Sequence, residues 1–112
     1  LLISWHDFKK TPNESNLKSK FKKMRKFSNF VKIVTVAKNV SDASRLLSLY
    51  SIKSKNKMIA FCMGDQGKFS RILCLHLGSP FTYVSLGKAI APGQFSVDEI
   101  KSLQIWAEII MR

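Results

Sequence analysis

At 112 residues and 46% hydrophobic content, the chain has the length of one ordinary domain and enough apolar side chains for a packed core, which excludes a disordered segment. The opening Leu1-Leu2-Ile3 gives way at once to polar and charged residues, too short a run for a signal core or a membrane span, so neither secretion nor membrane insertion is expected. The net charge of +12 points towards polyanions, yet residues 1–60 hold +11 of it and residues 61–112 only +1.

The first apolar run, Leu1–Trp5, reads as a strand, and because the chain enters it without an initiating Met, an upstream portion is expected to precede it. Thr11-Pro12-Asn13 leads into a helix on which Leu17, Phe21, Met24 and Phe27 recur at spacings of four and three. Lys18, Lys20, Lys22, Lys23, Arg25 and Lys26 cover the complementary side, which reads as a solvated helix face. No nucleic-acid motif accompanies them, so nucleic-acid binding is not expected. Phe30–Val36 is the second strand. Its helix is expected to start at Ser41 as N-cap, with Val40, Ala43, Leu46, Leu47 and Tyr50 on its apolar side. Met58–Met63 is the third strand, followed by a helix over about 68–77 with Phe69, Ile72, Leu73 and Leu77 apolar and Gly78 at C′. Phe81–Ser85 is the fourth, and Ser96-Val97-Asp98-Glu99 is a capping-box pattern opening a last helix through Trp106 and Ile110. Cys62 and Cys74 have neither a CxxC spacing nor a His/Cys cluster, which points to buried free thiols in a reducing cytoplasm rather than a disulfide or zinc site.

The strands are nearly continuous apolar runs, as expected of a parallel sheet covered by helices, and their starts are spaced like βα units. Neither a Walker loop nor GxGxxG follows the first strand, whereas polar residues gather after strand ends, at Ser4–Phe8, Met63–Gly67 and Lys88–Gln94. The expected fold is α/β: four βα units, residues 1–112, forming half of a (β/α)8 barrel, since a complete barrel needs about 250 residues.

Lys32 interrupts Phe30-Val31-Lys32-Ile33-Val34-Thr35-Val36, a segment otherwise composed for burial. A buried ammonium is costly unless paired, and a neutral amine attacks carbonyl carbon to form a Schiff base. A strand-end lysine that snorkels to water fits the pattern equally well. His6 ends a neighbouring strand at the same mouth of the sheet, and its near-neutral pKa suits proton transfer, which tips the pair towards chemistry. His76, late in a helix among leucines, reads as structural. Arg71, near the start of the third helix, fits either a surface arginine or a contact for a carboxylate. Pro92-Gly93-Gln94 is a turn that offers an amide side chain.

Four features in order, Ser-Trp-His-Asp-Phe at Ser4–Phe8, Val-Lys-Ile-Val at Val31–Val34, Met-Gly-x-x-Gly-x-x-Ser-Arg at Met63–Arg71 and Ala-Pro-Gly-Gln at Ala91–Gln94, resemble type I 3-dehydroquinate dehydratase over essentially the whole chain. The resemblance implies the C-terminal half of that barrel, with strands five to eight. It implies that Lys32 forms an imine with the C3 ketone of 3-dehydroquinate and that His6 moves the protons of a syn elimination of water. It further implies that Arg71 meets the substrate carboxylate, Gln94 a substrate oxygen and Met63 the pocket wall, without metal or organic cofactor. The family usually has Ser where this chain has Ile90, so a substrate hydrogen bond is expected to be lost there. The first four strands, which supply a carboxylate to orient the histidine, have no counterpart here; the isolated segment is expected to be inactive and, with two sheet edges and an apolar interior exposed, prone to association. A homodimer of the whole enzyme and a shikimate dehydrogenase after Arg112 are further expectations. The alternatives are a class I aldolase-like barrel, a basic module binding nucleic acid through Lys18–Lys26, and an inactive remnant.

Overall fold

A computed structural model of the chain describes residues 1–52, 57–80, 84–85 and 95–96. Three strands, β1 (Leu2–His6), β2 (Phe30–Val36) and β3 (Lys57–Met63), pair in parallel in the order β1-β2-β3. Helix α1 (Glu14–Arg25) joins β1 to β2; helix α2 (Val40–Leu47) and a 3₁₀ turn at Ser48–Ser51 lie between β2 and β3; helix α3 (Ser70–Leu77) follows β3. Strand order equal to chain order, with helical connections, is the arrangement the strand and helix spacing predicts. Of the expected fourth strand, residues 84 and 85 are described, as β4 (Val84–Ser85), which pairs in parallel with β5 (Phe95–Ser96). The strand at Phe95–Ser96 is not expected from the sequence, since Ser96 opens the capping-box pattern; the rest of that pattern and the last helix lie outside the described residues.

Helix α1 starts where Asn13 accepts the Asn16 amide at 2.8 Å, and it buries Leu17, Phe21 and Met24. Phe27, expected on that stripe, is exposed, because α1 ends at Arg25 and the chain turns away before it. The N-cap of α2 is Asn39, not Ser41: its side chain accepts the Asp42 amide at 2.8 Å, so the helix begins at Val40, which is exposed rather than apolar-facing. Helix α3 ends at Gly78, φ 122°, as expected, but Leu73 and Leu77 are exposed. The main core lies between one face of the sheet (Val31, Ile33, Met58, Ala60, Cys62) and α1 and α2 (Leu17, Phe21, Met24, Ala43, Leu46), and both cysteines are buried thiols. Burying a leucine or phenylalanine in such a cluster contributes about 1.5–3 kcal/mol each.

Polar groups in this core are matched. Thr35, fully buried in β2, meets the Thr11 hydroxyl at 2.7 Å, and Thr11 also donates to the Val36 carbonyl at 2.8 Å. Arg45 of α2 donates to the carbonyls of Pro12 (2.8 Å) and Thr11 (2.9 Å) and pairs with Asp42 at 2.7 Å, tying the β1–α1 connection to α2. At β3, the Tyr50 hydroxyl accepts the Ala60 amide at 2.7 Å and donates to the Ala60 carbonyl at 2.9 Å, and burial pushes the Tyr50 pKa upward against the opposing effect of that bond. Tyr50 thus occupies the outward-facing amide and carbonyl of Ala60 on the β3 edge, and Val34, Ile59 and Phe61 are buried in a second cluster with Leu47 and Cys74. Among the described residues no helix is long and apolar enough to cross a membrane.

Candidate active site

Side chains alternate along a strand, and residues in register across a parallel sheet share a face. Val31 and Ile33 face the helices, so Lys32 and Val34 face away from them. Register places Ser4 and Ile59 beside Lys32, His6 and Phe61 on either side of Val34, and Met63 beside Val36. His6, Lys32 and Met63 therefore lie on one face, with His6 one side-chain layer nearer the C-terminal ends of the strands than Lys32. The spacing of strands and of alternate residues puts their Cα atoms on the order of 8 Å apart, a distance that a lysine side chain spans.

Lys32 is half-buried rather than enclosed, between the fully buried Val31 and Ile33 of the opposite face. His6 is held below the ordinary imidazole range, first by burial and then by the positive charge of Lys32, so the fold favours the neutral ring. The His6 ring meets Phe8 edge to face at 5.6 Å between centroids. Its Nε2 is buried and has no hydrogen-bond partner among the described residues. Asp7, next in sequence, is turned to its own loop, where it accepts the Lys9 and Lys10 amides at 2.9 and 3.0 Å, which lower its pKa.

Arg71 is buried, 4% exposed, with its guanidinium carbon 4.5 Å from the Phe61 ring centroid. Phe61 is on the Lys32 face, so the second residue of α3 reaches the same surface as the strand residues. Burial lowers its pKa, yet an arginine remains a cation, and its Nε has no hydrogen-bond partner among the described residues. The β3–α3 connection makes this approach by a tight path. Gly64 has φ 89°, and a Cβ on Gly67 would lie 2.6 Å from Cys62 Cβ.

Four of the five site residues expected from sequence, His6, Lys32, Met63 and Arg71, are thus brought to one face. Gln94 lies outside the described residues, as does Ile90. Arg71 is not the surface arginine that one reading allowed. Sequence reasoning passed over Phe61, which looked like any apolar strand residue. It also gave no role to Ser70, which is fully buried; its signal was its fixed place in the Met63–Arg71 motif.

The sequence model of the type I 3-dehydroquinase family matches residues 1–109. A 3-dehydroquinate dehydratase of Pyrobaculum aerophilum is 46% identical over 98 residues, covering 88% of this chain and 32% of that protein. Among solved structures, the type I 3-dehydroquinate dehydratase of Clostridium difficile, crystallised with covalently modified comenic acid, superposes with a TM-score of 0.82 at 29% identity over 95% of this chain and 44% of that one. The dehydroquinate dehydratase and shikimate dehydrogenase protein of S. pombe matches with a TM-score of 0.75 at 26% identity over 96% of this chain and 21% of that one. The chain spans about half the length, or less, of the relatives it matches. With nearly its whole length matched by the family's sequence model, the chain belongs to the type I 3-dehydroquinase family.

Proposed function

We propose that this chain supplies the imine-forming half of a 3-dehydroquinate dehydratase, with Lys32 as the covalent catalyst and His6 as its proton carrier. The observation that carries the reading is the neutral-leaning His6 placed on the same face as Lys32 and sensing its charge. In this reading the Lys32 amine adds to the C3 ketone and loses water, giving a cationic imine. His6, entering as the neutral base, takes the C2 proton; the electron pair moves into the imine, and its return expels the C1 hydroxyl, which leaves as water with the proton carried by His6. Hydrolysis of the imine frees 3-dehydroshikimate and restores the amine. Arg71, buried on Phe61 with its Nε not engaged by the described residues, suits the substrate carboxylate. Met63 lines the wall, and Gln94 is proposed as the loop contact. Crystallisation of the Clostridium difficile relative with covalently modified comenic acid fits a nucleophile in this family's site.

The completed protein is proposed to be a (β/α)8 barrel in which residues 1–112 form the C-terminal half. A fourth strand joining β3 would take over Ala60 from the Tyr50 hydroxyl. Among the described residues no acid is among the groups that shift His6, and the carboxylate that orients it is proposed to come from the half of the barrel that precedes β1. The fused S. pombe relative makes a shikimate dehydrogenase partner a reasonable arrangement here too. Steady-state kinetics of the full-length protein test the roles. Lys32→Ala should lose on the order of 10³-fold or more in kcat, and His6→Ala about 10²–10⁴-fold. Retention of near-normal kcat by Lys32→Ala would remove the covalent reading.

A further inference from the structure

The start of α3 lacks an ordinary cap. Phe69, the residue before it, is itself helical in backbone conformation and makes no side-chain capping bond. The first turn is held instead by the hydroxyl of Ser70, which is fully buried. Ser70 Oγ donates to the Gly67 carbonyl at 2.5 Å and accepts the Cys62 amide of β3 at 2.8 Å, with the Cys62 carbonyl 3.4 Å away. One hydroxyl thus joins the strand, the turn after it and the first residue of the helix. Gly67 allows this closeness, because any Cβ there would collide with Cys62. The next residue is Arg71, whose guanidinium lies on Phe61, one residue before Cys62 in β3.

A long side chain on a short helix is only as well placed as the backbone that carries it. Arg71 keeps its Nε unengaged by the described residues and rests its guanidinium on the Phe61 ring, so where α3 starts decides where that guanidinium lies. We infer that Ser70 is a positioning residue, whose two backbone hydrogen bonds set the start of α3 so that Arg71 presents its guanidinium to a substrate carboxylate. The inference rests on the reading of Arg71 given above. It assigns Ser70 an effect on substrate binding rather than on the chemical step.

The test is a double-mutant cycle in the full-length protein with 3-dehydroquinate as substrate. Ser70→Ala should raise KM about tenfold, the scale of one lost hydrogen bond, with kcat little changed. In an Arg71→Ala background the same change should add almost nothing to KM, since there is no guanidinium left to place. Ser70→Cys fills similar space with a weaker donor and acceptor, and should also raise KM; it serves if Ser70→Ala does not fold. An unchanged KM in the Ser70 variants, or an equal rise with and without Arg71, overturns the inference. If Arg71→Ala alone leaves KM unchanged, the carboxylate reading of Arg71 falls first and the inference with it.

Discussion

His6 illustrates how a single ring is prepared by its surroundings. Burial and the nearby Lys32 charge both act against protonation, and burial is the larger cause. Its folded pKa therefore lies below its unfolded value of about 6.5. The sign follows: the contribution of this group to stability is intact above about pH 6.5 and is lost as the pH falls through the lowered folded value. A general base in this state should hold its activity to a lower pH than an exposed histidine would allow. Lys32→Met should raise the His6 pKa only part of the way back, because burial remains; NMR titration of the His6 ring, assigned with a His76→Gln variant, measures this. An unmoved titration would mean that the two side chains do not sense one another. Lys32 and His6 were legible in the sequence because each departs from its local pattern, a charge within an apolar strand and an imidazole at a strand end. Phe61 departs from nothing, and its role under Arg71 depends on an approach across the β3–α3 turn that spacing alone does not reveal.

Among the elements, the three strands were read almost to the residue, since continuous apolar runs bounded by polar turns leave little choice of register with the helices. Helix ends were harder. Asn39 and Ser41 are both good capping residues, and only the bond from Asn39 to the Asp42 amide decides between them. The Arg45 clamp was invisible because its partners, the Pro12 and Thr11 carbonyls, are backbone atoms more than thirty residues away in the chain. It should nevertheless matter. Arg45→Ala leaves two carbonyls and Asp42 without their cation, and is expected to destabilise the fold by about 1–3 kcal/mol. Arg45→Lys should recover little, because an ammonium does not reproduce the fork of a guanidinium. Denaturant unfolding checks both, and a full recovery by lysine would show that charge alone holds the loop.

At the scale of the whole molecule, the chain carries the proposed nucleophile, its proton carrier and the carboxylate contact, while among the described residues the groups acting on His6 include no acid. The isolated 112-residue chain is accordingly expected to show no measurable dehydration of 3-dehydroquinate. Its sheet is better protected than the strand pattern suggests, through Tyr50 at β3 and the covered Val34, Ile59 and Phe61. Leu1, Phe8 and Phe27 remain exposed and supply surface for self-association, which sedimentation velocity would detect. A monomer that turned over substrate would refute the division of labour proposed for the two halves. The central claim concerns one atom, Nζ of Lys32, and the measurement that reaches it directly is borohydride reduction of the full-length protein with 3-dehydroquinate, followed by peptide mapping. The account predicts a reduced substrate adduct on Lys32, absent from Lys32→Ala and retained in His6→Ala; an adduct on another residue, or none under turnover conditions, would contradict it.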